Sequence, residues 1–356
     1  MTSFFSDLFK KESKSVLGVD IGTSAVKVVQ LRKERGSVVL ETYGAIALGP
    51  YAGVEIGRAT SLPAEKIAEA LKDVIREANV TTANAAVSIP YSSSLISLIK
   101  LPSAVEKDLA QVVPIEARKY IPVPINEVLL DWFPVSGGSQ KKEDKIEVLL
   151  VAIHNDTISK FKNIASDAAL AVEFFEIEVF SAVRAALERG VAPVAVVDMG
   201  AATTKFYVVE RGLIRESHIL SQGAQDLTLA ASRSLGISVV QAEERKRKTG
   251  LMENGSAGFR NSLEISLSPL VSEMARTAVS FEQRNNASLG AIVLTGGGAT
   301  LRGLKEFMQS KMQNEIRLAD PFGKTQAPAF LEAILKDAGP EFSVAVGLAL
   351  RALQEA

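Results

Sequence analysis

The sequence contains no cysteine, no appreciable net charge and no long apolar run. Without cysteine, disulfide bonds and thiolate metal sites are excluded, which suits a reducing cytoplasm. The 40 Lys and Arg side chains balance 41 Asp and Glu, so we expect no general affinity for nucleic acid or acidic lipid. No apolar stretch approaches the roughly 18 residues of a spanning helix, and no signal peptide is recognised. We therefore expect a soluble, cytoplasmic protein whose 356 residues form about two domains.

The amino-terminal residues 1–15 read as a separate amphipathic segment. Phe4, Phe5, Leu8 and Phe9 would share one face of a short helix that is followed by lysines. Two interpretations stay open, a helix that binds a membrane or a partner and a short segment that folds back or frays.

An internal repeat is the main functional signal. The stretch "VLGVDIGTSAVK" has a counterpart in "VAVVDMGAATTK", and the spacing from Asp20 to Lys27 equals that from Asp198 to Lys205. The apolar run before each Asp predicts a central strand of a covered sheet. Each Asp would then lie at the rim of its sheet, where a ligand can reach it.

The residues after each Asp suit the binding of phosphate. Glycine lets the backbone N–H groups of a turn approach a ligand, and neighbouring hydroxyls add donors. The predicted phosphate-wrapping residues are Gly22, Thr23, Ser24, Gly200, Ala201, Thr203 and Thr204. Two such hairpins facing one cleft would hold an oligophosphate, with Mg²⁺ bound through water by Asp20 and Asp198, and with added charge from Lys27 and Lys205. One Asp-x-Gly hairpin alone is usually an ordinary turn, but the duplication favours a site.

A glycine-rich loop supplies a third element. A buried strand ends in Thr295 and is followed by Gly296, Gly297 and Gly298, and then by a predicted amphipathic helix. Bare glycines before a helix predict an anion site with room for a nucleoside. Neither a Walker lysine loop nor a Rossmann glycine fingerprint is present, so those nucleotide-binding folds are excluded.

Two Asp-Gly hairpins followed by a Gly-Gly-Gly loop resemble the actin, heat-shock-70 and hexokinase ATPase superfamily. The resemblance spans nearly the whole chain and implies an α/β, two-lobed actin-like ATPase fold that binds ATP and Mg²⁺. It implies connecting helices at 176–190 and 341–353. The stretch "QAEERKRKTG" is similar to the helix that contacts the nucleoside, which implies ribose contacts for Glu243 and Lys246. A solvated helix surface is the alternative for this stretch.

The region between the first hairpin and the first connecting helix indicates the subfamily. Residues 87–170 read as a compact α/β module whose first helix opens with a capping box of Ser103 and Glu106. This module resembles the relocated small subdomain of FtsA and PilM. The stretches "LPSAVEKDLAQVVPIEARKYIPVPINEVLLDW", "TGGGATLRGL" and "LADPF" are particularly similar to the PilM family of type IV pilus assembly proteins.

The predicted organisation follows from these motifs. After the segment 1–15, the parts are 16–86 (first-lobe core), 87–170 (inserted small subdomain), 171–190 (connecting helix), 191–240 (second-lobe core), 241–284 (second-lobe small subdomain), 285–340 (second-lobe core) and 341–356 (C-terminal connecting helix).

The resemblance implies an ATP-binding adaptor with slow or no hydrolysis. Such a protein lies at the cytoplasmic face of the inner membrane, associates with it mainly through partners, and contacts other pilus assembly and motor components. It receives the N-terminal cytoplasmic peptide of PilN in a groove between the first-lobe core and the inserted subdomain; a homo-oligomer and a role in twitching motility are compatible with this. The candidate groove residues are Ile89, Tyr91, Leu95 and Tyr120, although base rates for apolar residues in strands and helices favour a core position for each one taken alone.

Two other functions stay open. A sugar or small-acid kinase of the same superfamily needs a general base, for which Glu178 is the candidate and Glu176 a neighbour. Both glutamates could equally be charges that favour the start of a helix. The similarity to FtsA also suggests a filament-forming protein.

Overall fold

The structure is a computed structural model that describes residues 14–135, 145–188, 190–252 and 256–354. The strands, in chain order, are β1 (Ser15–Ile21), β2 (Ala25–Glu34), β3 (Ser37–Ala47), β4 (Asn84–Ile89), β5 (Ser94–Pro102), β6 (Val128–Pro134), β7 (Lys145–His154), β8 (Ala171–Ile177), β9 (Val194–Met199), β10 (Thr204–Glu210), β11 (Leu213–Leu220), β12 (Ile292–Thr295) and β13 (Ile316–Leu318). The helices are α1 (Ala64–Glu77), α2 (Leu109–Ala117), α3 (Asn155–Asp167), α4 (Glu178–Ala186), α5 (Ala224–Leu235), α6 (Val239–Lys248), α7 (Ala257–Asn285), α8 (Leu304–Gln309) and α9 (Glu332–Gln354).

Two five-stranded sheets have the same strand order and directions. The first lobe has the order β3-β2-β1-β4-β8, and the second has β11-β10-β9-β12-β13. In the first sheet, β1 pairs antiparallel with β2 and parallel with β4. In the second, β9 pairs antiparallel with β10 and parallel with β12. The repeat found in the sequence is therefore a repeat of architecture, and the apolar strands β1 and β9 are central because their side chains are covered on both faces.

A third sheet, in the order β5-β7-β6, is inserted between β4 and β8 of the first lobe. The middle strand β7 contributes to two cores because successive side chains alternate between its faces. Val148, Leu150 and Ala152 pack inside the inserted sheet and its helix α2. Leu149, Val151 and Ile153 join the main core. The inserted subdomain is thus packed against the body of the protein mainly through β7, and Ile96 and Leu98 of β5 pack partly against the same core.

The chain around the inserted sheet differs in two places from the sequence interpretation. The predicted capping box at Ser103 and Glu106 is wrong, because Ser103–Asp108 is a 3₁₀ helix preceded by Pro102 and the α-helix begins only at Leu109. Helix α3, expected within the inserted module, packs its buried side chains into the main core with α1.

The helices α9 and α4 lie between the lobes, and the backbone of α9 closely approaches the backbones of β1 and α4. A Cβ atom on Gly18 of β1 would lie 1.9 Å from the carbonyl oxygen of Ala345 in α9. A Cβ atom on Gly347 would lie 1.9 Å from the carbonyl oxygen of Ser181 in α4. Glycine is required at both points because any side chain would push these elements apart.

The residues that the structure describes begin at Lys14, so Phe4, Phe5, Leu8 and Phe9 of the predicted amphipathic segment lie outside them. Among the helices of the described ranges, none combines the length and apolarity that crossing a bilayer requires.

Candidate functional site

The two hairpin turns have the same backbone geometry. In the turn between β1 and β2, Gly22 N donates to Ala25 O at 3.0 Å. In the turn between β9 and β10, Gly200 N donates to Thr203 O, also at 3.0 Å. The strand registers match as well, because each Asp lies directly opposite a lysine. The identical spacing in the sequence therefore produces two equivalent turns.

Asp20 is held in place by the neighbouring strand β4. Ser88 Oγ donates to Asp20 Oδ1 at 3.0 Å and accepts from Ile21 N at 3.2 Å. Lys27 Nζ lies 3.8 Å from Asp20 Oδ2, so the contact between these charges is loose. The buried carboxylate of Asp20 is therefore fixed in orientation while a second oxygen remains at the cleft.

Lys205 of the second hairpin is held more tightly. Its Nζ lies 2.9 Å from Asp198 Oδ2 and 2.8 Å from Glu178 Oε2. Burial alone would lower the pKa of Lys205, but the two carboxylates outweigh it and hold the pKa above its usual value. For Glu178 burial dominates, and the pKa of this carboxyl is raised even though Lys205 opposes the shift.

Glu178 connects the cleft to the beginning of the inserted subdomain. While Oε2 accepts from Lys205, Oε1 accepts from the backbone N–H of Tyr91 at 2.6 Å. Tyr91 lies in the short 3₁₀ helix before β5, and its hydroxyl is 2.5 Å from Ser217 Oγ in the second lobe. The residue predicted as a catalytic base thus has a partner on each carboxylate oxygen.

The glycine loop lies against the second hairpin. Gly296 has φ of 84°, and a Cβ atom there would be 2.3 Å from Asp198 Oδ1. At Gly298 a Cβ atom would meet Met199 Cγ at 2.4 Å. The helix predicted after the glycines is α8, but it begins only at Leu304 because Gly297–Thr300 first forms a 3₁₀ turn. The missing side chains of Gly296 and Gly298 therefore let the loop pack closely against Asp198 and Met199, while a Cβ atom at Gly297 would have no neighbour nearer than Glu341 at 3.8 Å.

Glu243 and Lys246 form a buried pair on α6. Their charged atoms are 2.7 Å apart, and Thr228 Oγ1 donates to Glu243 Oε2 at 2.6 Å. Burial raises the pKa of Glu243, but Lys246, Thr228 and Arg247 outweigh it, and the net pKa is lowered. Burial dominates for Lys246, whose pKa is lowered. First-lobe Gly57 lies directly over this carboxylate, because a Cβ there would be 2.7 Å from Glu243 Cδ.

These elements line one cleft of about 490 Å³ between the lobes. The predicted residues that line it are Asp20, Gly22, Thr23, Ser24, Lys27, Glu178, Asp198, Gly200, Ala201, Thr203, Lys205, Glu243, Lys246, Gly296, Gly297 and Gly298. Thr204 is the exception, because it is buried and its hydroxyl donates to Gln222 O at 2.7 Å. Gly57, Arg247 and Glu341, which were not predicted, also line the cleft. Arg247 lies in the stretch similar to the nucleoside-contacting helix and Glu341 begins the predicted second connecting helix, whereas Gly57 carries no motif that would have identified it.

No direct metal centre is built into the described ranges. Within them, no group of three or more His, Cys, Asp or Glu side chains could hold a metal ion. Two carboxylates, Asp20 and Asp198, nevertheless line the same cleft. This donor set suits a hard cation that keeps water and shares phosphate oxygens.

Glu176 lies outside the cleft and has a structural role. Its carboxylate accepts from Arg184 Nη1 and from Arg351 Nη1, each at 2.7 Å, and from Ser181 Oγ. Burial raises the pKa of Glu176, but these donors outweigh it and the pKa is lowered. Glu176 therefore ties α4 to α9, and its oxygens are not available to orient a water in the cleft.

The predicted peptide-contacting residues are not gathered on one surface. Ile89 is fully buried in the main core, so it does not line a surface groove in this structure. Leu95 packs partly against the core of the inserted sheet, whereas Tyr120 is 44% exposed. Tyr91 is half-buried and bonded to Ser217.

Two other apolar residues of the inserted sheet are exposed beside the main core. Leu129 and Phe133 of β6 are 55% and 53% exposed. They lie opposite Ile153 and Leu149 of β7, and paired residues of antiparallel strands share a face of the sheet. Because these two β7 residues are buried in the main core, Leu129 and Phe133 form an apolar ledge at the junction of subdomain and body. The term "apolar ledge" below means these two residues.

The arrangement is similar to that of solved actin-like proteins. A structure described as the PilM-PilN type IV pilus biogenesis complex is 25% identical, has a TM-score of 0.79, and covers 95% of this chain and 98% of that one. MreB5 of Spiroplasma citri bound to AMPPNP is 14% identical, with a TM-score of 0.55 and coverage of 97% and 98%. The fold is therefore the two-lobed actin-like fold that the motifs predicted.

Curated sequences and a family model identify the branch. The cell division protein FtsA of Helicobacter pylori is 29% identical over 238 residues, which are 58% of this chain and 47% of that protein. FtsA of Bacillus subtilis is 24% identical over 240 residues, 58% of this chain and 54% of that protein. The chain thus spans about half the length of these curated relatives. The family model "Type IV pilus assembly protein PilM" matches residues 18–353, and the chain therefore belongs to the PilM family.

Proposed function

We propose that this protein is an ATP-binding adaptor of type IV pilus assembly, which holds Mg-ATP between its lobes and the N-terminal cytoplasmic peptide of PilN at the inserted subdomain. The observation that carries the nucleotide part is the pair of equivalent Asp-Gly hairpins that line one cleft together with the glycine loop. A related structure contains PilN, and another contains the ATP analogue AMPPNP.

The residues of the cleft fit a nucleotide. Asp20 and Asp198 would hold Mg²⁺ through water, and the turn residues from Gly22 and from Gly200 would wrap the phosphates. The nucleoside would lie against Gly296 to Gly298, which line the cleft, and Glu243 with Lys246 would hold the ribose. A cleft of about 490 Å³ is in the size range of cofactor pockets. Bound Mg²⁺ would supply charge neutralisation for the phosphates.

The side chains favour binding over turnover. A general base must have a free acceptor within reach of the attacking hydroxyl or water. Each oxygen of Glu178 already accepts one hydrogen bond, from Lys205 or from the Tyr91 amide, so to take a proton the carboxylate must share an oxygen with one of these donors or release it. We therefore expect at most slow hydrolysis, since a phosphate clamp without a placed base gives affinity but little rate.

Calorimetric titration with Mg-ATP tests the nucleotide part. The wild-type protein should bind saturably, and Asp20→Asn should lower the affinity at least ~10-fold because a charge that faces the cation is lost. Asp108→Asn is the matched control, since Asp108 is an exposed aspartate of the inserted subdomain and lies outside the cleft. Absence of saturable binding by the wild-type protein would contradict the proposal, as would equal affinities of the wild type and Asp20→Asn.

The apolar ledge supports the peptide part. Leu129 and Phe133 offer exposed apolar surface on the edge strand β6, which pairs only with β7 in the inserted sheet. An extended peptide can bind beside such a strand, with apolar side chains supplying affinity and the backbone supplying register. The location agrees with the groove that the family resemblance implies, between the first-lobe core and the inserted subdomain.

Substitution of an exposed residue of the apolar ledge should weaken peptide binding without disturbing the fold. We expect Phe133→Ser to weaken binding of a synthetic PilN amino-terminal peptide about 10-fold or more, because exposed aromatic anchors dominate such contacts. Ile115→Ser removes a similarly exposed apolar side chain from α2, at 62% exposure, and should leave the affinity unchanged. Fluorescence anisotropy of a labelled peptide gives both affinities. Equal losses in the two variants would show that the ledge is not the binding surface.

The nucleotide and peptide sites are connected through Glu178 and Tyr91. One carboxylate contacts the cleft lysine and also the backbone that leads into β5. ATP would therefore bias the peptide site by its differential affinity for two arrangements of the lobes. As such an adaptor, the protein would lie at the cytoplasmic face of the inner membrane, held there through its partners. Equal peptide affinity with and without Mg-ATP would remove the coupling but not the adaptor role.

A further inference from the structure

Tyr207 is a buried polar residue that the proposed nucleotide clamp does not use. It follows Lys205 by two positions on β10, so the two side chains share one face of the strand. Tyr207 is 1% exposed and packs in the main core. Within the described part of the chain its hydroxyl has no hydrogen-bond partner. Buried hydroxyls nearly always have one, so this group calls for an explanation.

The surroundings of Tyr207 make its hydroxyl a donor. Burial raises the pKa of the phenol well above its usual value, and the nearby charges of Asp198 and Glu178 raise it further. The phenol therefore keeps its proton. The two carboxylates beside it already share the ammonium of Lys205.

We propose that Tyr207 is a positioning residue, whose hydroxyl donates to Glu178 when Lys205 turns from Glu178 towards a bound phosphate. This inference rests on the proposed nucleotide binding. A phosphate chain would compete with Glu178 for Lys205, because the ammonium lines the cleft. Glu178 would keep the Tyr91 amide on one oxygen but lose the cation on the other. The Tyr207 hydroxyl, which is buried, unpartnered among the described residues and on the same face of β10 as Lys205, is a donor that would replace it.

The variant Tyr207→Phe tests this role because it removes one oxygen and keeps the ring. Its thermal midpoint without ligand should equal or exceed that of the wild type, since the hydroxyl has no partner to lose. Its affinity for Mg-ATP should fall about 10-fold or more, as expected for loss of one hydrogen bond to a charged group. A merely structural tyrosine would give the opposite pattern, with lower stability and unchanged affinity.

Tyr51→Phe is the matched control. The Tyr51 hydroxyl donates to Asp73 Oδ2 at 2.6 Å, and the residue lies outside the cleft. Loss of this bond should lower the thermal midpoint and leave the Mg-ATP affinity unchanged. If Tyr51→Phe and Tyr207→Phe lost affinity equally, the effect would be general and the inference would be overturned.

A spectroscopic readout reports the hydroxyl directly. The sequence has five tyrosines, so tyrosine labelled with ¹³C at Cζ gives few NMR signals, and the one absent in Tyr207→Phe belongs to Tyr207. On addition of Mg-ATP this signal should move as a phenol does when it donates to a carboxylate. Binding by the wild type with no movement and with equal affinity of Tyr207→Phe would overturn only this inference. No binding by the wild type would overturn the proposed nucleotide function, and this inference with it.

Discussion

Replacement of Lys205 by methionine should lower the free energy of unfolding by about 3–5 kcal/mol, the range for breaking a buried ion pair from one side. The reason is that Asp198 and Glu178 lose the ammonium that lies within 3 Å of both. Methionine keeps most of the apolar stem and removes only the charge. Urea unfolding at neutral pH measures the loss. A loss below ~1 kcal/mol would show that the two carboxylates do not depend on Lys205.

The same variant should show a defined pH dependence. In the wild type the raised pKa of Lys205 gives stabilisation that is complete below pH 10.5 and is lost as the pH rises through the folded pKa. Without Lys205, the already raised pKa of Glu178 should rise further. The folded variant then keeps a proton on Glu178 that the unfolded chain releases near pH 4.5. Its loss in free energy of unfolding should therefore grow as the pH rises above 4.5.

Two further variants complete the comparison. Lys27→Met is the matched control, because Lys27 occupies the equivalent position of the first hairpin but lies 3.8 Å from Asp20. Its loss of stability should be clearly smaller. The double variant Lys205→Met with Glu178→Gln should recover part of the loss, since glutamine is neutral without taking up a proton at neutral pH.

Replacement of Gly18 by alanine should lower the free energy of unfolding by about 3 kcal/mol, at the upper end for overpacked cores. The new Cβ atom would lie 1.9 Å from the carbonyl oxygen of Ala345 and 3.1 Å from the backbone nitrogen of Ala349. Both contacts are with backbone of α9, which cannot rotate away as a side chain can. Because α9 packs between the lobes, the strand and the helix would have to separate.

Gly190→Ala is the control for this substitution. A Cβ atom at Gly190 meets no atom of the described residues within 4 Å, and its backbone is not in the left-handed region. Its thermal midpoint should be unchanged or slightly raised, because alanine restricts the unfolded chain. Equal midpoints of Gly18→Ala and Gly190→Ala would contradict the close contact between β1 and α9.

The site was predictable where its residues are close in the sequence. The repeated Asp, Gly and Lys positions specify two hairpins, because an apolar strand, a tight turn and a second strand are local features. The structure gives those hairpins equal turns and equal registers. Thr204 shows the limit of this reasoning, because a hydroxyl in the right stretch of sequence can point to either side of a strand.

The peptide surface was less predictable. Ile89 and Leu129 are both apolar strand residues, and their residue types do not show which of the two is buried. Ile89 is buried because its strand is enclosed by the first lobe, whereas Leu129 is exposed because β6 is at the edge of a small sheet. Exposure here depends on which sheets pack together, and residue type does not report that.

The sequence alone determined the repeat of two hairpins, the glycine loop and the resemblance to the PilM family, because each depends on residue types at short spacing. Only the tertiary structure decided that Lys205 lies between Asp198 and Glu178, that Glu178 holds the Tyr91 amide, and that Tyr207 is buried beside them. The physical reason is that these contacts join residues far apart along the chain. Their geometry is set by how the lobes and the inserted sheet pack, and local patterns carry no information about that packing.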